Sequence, residues 1–353
     1  MHEPTAQGRS PGNGRQGAGA QIVAVGAYLP ETELTSEEIE GWLHADAPPG
    51  WLEQLSGVRA RRVATPGTPG STLASLAIKD MLEGSGYSVA DLDCIIVGSA
   101  APDCIEPSTA NMVQAELGAS GAAFDVSNAC NGFLTALQVA DALVSKGSFG
   151  AVAVACGEVL SPFIPWDLAR ESRDPLNYIG ALTLGDGGGA ALVTPATGQP
   201  GIRAMRFHSE GELWEAAVVK SGGSRFPGAE ANAYFSCEVK PLYQAAYRVL
   251  PGMIQQLLDE VRWKASEVDL VVPHQVSVSA VANIGCMFGW TTDDAVFSLD
   301  DYGNTAAASM PIAMHRALGQ GRLREGSRVV MVGAAAGFSA GVAAIEWRGY
   351  PSM

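Results

Sequence analysis

The sequence predicts an α/β protein in which one unit of alternating strands and helices occurs twice. Three observations carry that prediction. Short runs rich in Val, Ile and Ala alternate with helix-like stretches, the mark of strands buried on both faces. Segments of the first half recur, in order, in the second. The composition, 47% hydrophobic with 42 glycines and 17% charged residues, fits a compact enzyme-like chain better than a disordered or fibrous one.

Residues 1–20 are rich in Gly, Gln and Arg and lack the apolar core of a secretion signal, so they are expected to form a flexible tail. The first half is then expected over 21–196. In it, Asp93-Cys-Ile-Ile-Val-Gly98 reads as a strand, Phe124-Asp-Val126 as a second, Leu134–Ser145 as a helix and Ala151-Val-Ala-Val-Ala155 as a third strand. Thr194-Pro-Ala-Thr-Gly-Gln-Pro-Gly201 is a loop-like connection and sets the boundary. The second half, 197–353, repeats the series. Asp269-Leu-Val-Val-Pro-His274 matches the first strand, Phe297-Ser-Leu299 the second and Arg328-Val-Val-Met-Val332 the third, at nearly the same spacing. The stretch Val329–Trp347 is apolar enough to suggest a membrane span, but glycines at 333, 337 and 341 divide it into strand, turn and strand.

Three side chains stand where such a fold gathers chemistry, at strand and helix ends. Cys130 follows an apolar strand and a small-residue turn and precedes a helix. The helix dipole and nearby unpaired N–H groups are expected to lower its pKa. His274 lies just past a short β-run, and Asn304 at the head of another helix. Taken singly, each has a plainer reading: a small buried hydrophobe, a core histidine and a helix cap. Together they point to thiol chemistry.

Charge and cysteine usage narrow the classes. A formal net charge of −15 disfavours nucleic acid and anionic membranes as partners. The six cysteines form no C-x-x-C pair or Cys/His cluster, so neither a metal site nor a disulfide framework is expected, and reduced thiols suit the cytoplasm. Cys94 and Cys156, in strand-like runs, are expected to be packing residues. Gly185-Asp-Gly-Gly-Gly189 looks superficially like a phosphate loop, but no Lys-Ser/Thr follows, and it is expected to be a tight turn supporting the site.

A series of motifs stands in order along the chain: Gly26-Ala-Tyr-Leu-Pro-Glu31, Gly57-Val-Arg-Ala-Arg-Arg62, Phe124-Asp-Val126 with Ala129-Cys-Asn-Gly-Phe133, Gly185-Asp-Gly-Gly-Gly-Ala190, Val272-Pro-His-Gln275, Gly303-Asn-Thr-Ala-Ala-Ala-Ser309 and Gly337-Phe338. Through them, from Ile22 to Trp347, the sequence resembles the condensing enzymes of the thiolase superfamily, most closely ketoacyl-ACP synthase III. The resemblance implies a duplicated thiolase-like αβαβα five-layer fold, a homodimer built through the first-half sheet, and an acyl group carried on Cys130. Degradative thiolases have a second catalytic cysteine in the late Gly-rich loop, which here is Gly333-Ala-Ala-Ala-Gly337. Elongating synthases pair the thiol with two histidines, where this chain offers His274 and Asn304.

The resemblance also implies roles. The backbone N–H groups of Cys130 and Ala336 would form the oxyanion hole, while His274 and Asn304 would steady the enolate of a second thioester before it attacks the acyl group. Trp51 would stack the CoA adenine, with Arg59 and Phe338 as further substrate contacts. CoA or phosphopantetheine thioesters would be substrates, delivered as acyl-CoA or on acyl carrier protein, with no separate cofactor. An acidic chain needs a local basic rim for such anions, for which Arg59, Arg61, Arg62, Lys240, Arg248, Arg262 and Lys264 are candidates.

Three positions depart from the ordinary pattern. Leu55 and Ser279 replace arginines, which suggests a tailored specificity in secondary metabolism. Glu106 stands where synthase III enzymes reach across the dimer with a phenylalanine. A glutamate there marks enzymes that join two acyl chains, and a carboxylate desolvated in such a pocket would suit proton abstraction. A rival reading is an acyltransferase passing the Cys130 acyl group to an alcohol or amine, with His274 or Glu106 as base. A third is a non-catalytic partner subunit, against which the intact Cys/His/Asn set argues.

Overall fold

A computed structural model describes residues 19–44, 48–227 and 233–349. Most of the expected tail lies outside the described residues, and Ala20 is already paired in the first strand. The first sheet comprises β1 (Ala20–Tyr28), β2 (Cys94–Val97), β3 (Ala122–Asp125), β4 (Val152–Glu158) and β5 (Gly187–Pro195), in the order β1-β5-β4-β2-β3. The second comprises β6 (Ile202–Ser209), β7 (Leu270–Pro273), β8 (Arg328–Ala335) and β9 (Ser339–Glu346), in the order β7-β8-β9-β6. β2 runs parallel to β3 and β4, and β4 antiparallel to β5. In the second sheet β7 is parallel to β8, and β8 antiparallel to β9. The two sheets therefore share one topology.

Helices complete five layers. α1 (Gly70–Leu82) and α2 (Thr109–Leu117) cover the outer face of the first sheet, and α3 (Gly132–Ser145) and α6 (Ser309–Gly319) lie between the sheets. α4 (Val239–Val261) and α5 (Val278–Cys286) pack on the outer face of the second. The central layer buries Phe133, Leu134 and Leu137 of α3 and Ile312, Ala313 and Met314 of α6 against strands of both sheets. Cys94 and Cys156 are buried there as packing residues.

Two expectations need correction. Phe297 does not begin a strand. The counterpart of β3 is reduced to an isolated parallel bridge, Ala295 to Val271, held by Val271 N–H to the Asp294 carbonyl at 2.9 Å and Val296 N–H to the Val271 carbonyl at 3.0 Å. In the late apolar stretch only Gly337, at φ 110°, makes the turn. Gly333 and Gly341 pair with each other inside the β8–β9 hairpin. No described helix is long and apolar enough to cross a membrane.

Candidate active site

Cys130 stands in a single 3-10 turn, Ala129–Asn131, between β3 and α3. Ala129 adopts φ 45°, a left-handed conformation seldom taken by a residue with a Cβ. The second half repeats this device. Ala306, at φ 42°, opens the turn Ala306–Ala308, and α6 starts three residues later, just as α3 does after Ala129. The thiol turn is seated by contact too close for side chains, since a Cβ on Gly132 would fall 1.7 Å from the Gly98 carbonyl oxygen. Asn131, fully buried, donates to the Ser339 carbonyl at 2.9 Å and so ties the turn to the β8–β9 hairpin.

The expected lowering of the Cys130 pKa is not found. Burial pushes the thiol up to about 12, Glu158 and Cys237 add to the rise, and only its own backbone amide acts the other way. The reason is positional. Cys130 lies in the turn before α3, half-buried in the cavity wall with protein packed around its sulfur, and desolvation of a thiolate there outweighs a dipole effect confined to the helix end.

His274 follows β7 and is 5% exposed. Its Nδ1 lies 3.0 Å from Ser309 Oγ at the start of α6. With that hydroxyl donating, the ring proton sits on Nε2, which is buried and has no partner. Burial holds the imidazole neutral by pulling its pKa down to about 4, against a weaker opposing influence of the Ala306 backbone. Asn304 is pinned through its backbone: its N–H donates to the Thr183 carbonyl at 2.8 Å, and its carbonyl accepts from Gly185 N–H at 3.1 Å. Its Oδ1 accepts from Ala306 N–H at 3.0 Å, so the side-chain NH₂ remains for a ligand. Asp186 of the glycine cluster is fully buried and accepts from the Ala64, Leu160 and Ser161 amides, so it acts as a support, but the expected tight turn is not found, because Gly187, Gly188 and Gly189 already pair within β5.

Cys130, His274, Asn304, Ala336 and Phe338 line one cavity of about 1180 Å³. Ala336 sits in the turn joining β8 to β9, and Phe338 is 1% exposed beneath it. Glu106 is not in this wall. It lies exposed beside Ile105, which lines the cavity and is 79% exposed.

The expected CoA contacts fare worse. Trp51 is 4% exposed in a cluster with Ile39, Leu52 and Leu160, so it offers no open face to an adenine. Arg59 pairs with Asp301 and is not in the cavity wall. Of the proposed basic rim, Arg61 is buried against the Leu182 carbonyl, while Arg62 pairs with Glu33 and Arg248 with Glu210.

Sequence reasoning missed Glu158, the last residue of β4. It is fully buried and accepts from Ala100 N–H at 2.7 Å and Ala101 N–H at 3.3 Å, both residues of the cavity wall. Burial pushes its pKa up to about 8 against these amides. The one available signal was an acidic residue closing an otherwise apolar run, Val152-Ala-Val-Ala-Cys-Gly-Glu158.

A thiol turn and an imidazole with a carboxamide, presented by two copies of one α/β unit around one cavity, define a thiolase-fold condensing enzyme. The chain matches the family 3-oxoacyl-[acyl-carrier-protein] synthase III over residues 124–211, and the C-terminal domain of that family over 258–347. It is 30% identical to the beta-ketoacyl-[acyl-carrier-protein] synthase III of Methylococcus capsulatus, over 93% of this chain and 99% of the relative. The enzyme of that name from Deinococcus deserti is 32% identical over 94% and 93%. Among solved structures, 3-oxoacyl-[acyl-carrier-protein] synthase III from Aquifex aeolicus superposes with a TM-score of 0.83 at 30% identity, covering 93% of this chain and all of that one. The priming β-ketosynthase of the R1128 polyketide pathway superposes at 0.86 and 25% identity, over 98% and 100%. The chain belongs to the ketoacyl-[acyl-carrier-protein] synthase III family.

Proposed function

We propose that this protein joins two acyl thioesters by Claisen condensation through an acyl group held on Cys130. The observation carrying this reading is the unpartnered, buried Nε2 of His274 in the same cavity wall as Cys130 and Asn304. The first half, 21–196, supplies the sulfur, and the second, 197–353, the imidazole and carboxamide. Sulfur attacks the first thioester, the C–S bond to the departing thiol breaks, and the Cys130 proton leaves on that thiol. The amides of Cys130 and Ala336 receive the developing oxyanion. The His274 Nε2–H and the Asn304 NH₂ then hold the enolate oxygen of the second thioester. Its α-carbon forms the new C–C bond as the Cys130 thioester breaks.

Substrates arrive as thioesters of CoA or acyl carrier protein, in the cytoplasm. The working unit is a homodimer in which Glu106 of the partner subunit reaches this cavity and takes the α-proton, making decarboxylation unnecessary. The exposure of the Ile105–Glu106 segment at the cavity mouth supports this. Transfer to an alcohol or amine is the weaker reading. An imidazole held at about 4 is a poor general base for a hydroxyl or ammonium acceptor, whereas it is well suited to donating a hydrogen bond.

Product analysis with isotope-labelled thioesters tests the proposal. A β-ketoacyl thioester is expected, and an ester or amide as the main product would contradict it. Formation of that product from a non-malonyl second substrate, lost in Glu106→Gln, is expected if Glu106 is the base; undiminished turnover in that variant removes this role.

A further inference from the structure

The cavity does not end at the proposed catalytic side chains. Its wall continues between α4, α5 and the second sheet, where Leu250, Ile254, Val271, Trp290, Ala295 and Val332 line it. All six are less than a tenth exposed and belong to the hydrophobic cluster of the second half, so this lobe is a hollow within a core and not a surface groove. α5 contributes to the space: of its wall residues Ala280 and Ala282 carry only a methyl group, beside the larger Val281 and Ile284.

Protein interiors are close-packed, and an empty apolar hollow leaves its lining without contact partners. At about 1180 Å³ the cavity also exceeds the ~300–1,000 Å³ common for small-ligand sites. The lobe is continuous with the thiol, and the six side chains named carry no ionisable group. Its occupant must therefore be apolar, slender and attached to a group that reaches Cys130 and His274.

We infer that this second-half lobe receives the alkyl chain of a medium- or long-chain acyl thioester. The inference rests on the proposed use of Cys130 and adds a substrate class to it. The lobe is distinct from the first-half wall formed by Leu160, Phe163, Ile179 and Leu184. Each buried methylene strengthens binding roughly fourfold, so affinity climbs steeply with chain length until the lobe is full.

Binding is measured on the full chain with S-dodecylpantetheine, a thioether that cannot acylate sulfur, against S-butylpantetheine. The dodecyl compound is expected to bind at least ~100-fold more tightly. Ile254→Trp is expected to remove at least tenfold of that advantage. Ala280→Phe, on a different helix, is expected to do the same and keeps the test open if the tryptophan disturbs the core. Equal binding of the two compounds to the unmodified protein overturns the inference. So does an advantage that survives both variants, or one lost instead in Ile179→Trp.

Transfer of a butanoyl group from butanoyl-pantetheine to Cys130, read by mass in parallel, separates the two ideas. Chain-length-dependent binding without transfer contradicts the role of Cys130 and upholds the lobe; transfer without that dependence removes the lobe alone.

Discussion

A thiol pushed up to about 12 stays protonated across the neutral range. Alkylation of Cys130 by iodoacetamide, followed on its own peptide, is therefore expected to climb roughly tenfold per pH unit from 6 to 9. A plateau near pH 7 would mean that the helix dipole prevails after all. Glu158 sets a second pH dependence. Its folded pKa of about 8 lies above the ordinary carboxylate value of 4.5, so the folded state holds a proton that the unfolded state has lost between those limits. Stability from this group is full below about 4.5 and falls as pH rises through 8. His274 acts with the opposite sign, adding stability as pH rises from about 4 to 6.5. Denaturant melts across pH 5–8 are expected to show a shallower decline in Glu158→Gln than in the unmodified protein; parallel curves would refute the assignment. His274→Ala and Asn304→Ala are each expected to retain acylation of Cys130 while condensation falls ~10²–10³-fold in single-turnover assays. That Cys130, His274 and Asn304 meet in one cavity was legible because each sits at a strand or helix end within ordered motifs. Glu158 and Asn131 were not, because what matters about them is whom they touch across the fold. The thiol's pKa was misjudged because dipole position is written in the sequence, whereas desolvation depends on layers folded over it from distant segments.

Elements carry the duplication more faithfully than residues do. Both inner helices start three residues after a left-handed alanine, and β2, β4, β7 and β8 fall where matched Val/Ile/Ala runs placed them. The predicted strand at Phe297 failed for a physical reason. Edge pairing with β7 there is reduced to one bridge, and the chain turns into the short helix Leu299–Tyr302 that leads to Asn304. The crossing of α3 over the β2 end depends on Gly98 and Gly132. Gly132→Ala is expected to destabilise the protein by more than about 2 kcal/mol, because its Cβ would meet backbone and not a movable side chain. A thermal melt within a degree of the unmodified protein would show that the backbone yields more easily than this contact implies.

At the scale of the whole molecule, β3 is the edge of the first sheet and its four residues are only partly buried, unlike the covered strands behind it. Such an edge is a template for pairing with a second copy. Sedimentation is expected to give twice the 36.6 kDa chain mass, and a monomer at working concentration would remove the proposed crossing of Glu106. The central claim concerns one sulfur atom and is tested most directly by intact-protein mass spectrometry after exposure to a panel of acyl-CoA and acyl-pantetheine thioesters. A mass gain equal to one acyl group, mapped to Cys130 and absent in Cys130→Ala, is the result this account predicts. No adduct with any thioester, or one that persists in Cys130→Ala, would contradict it.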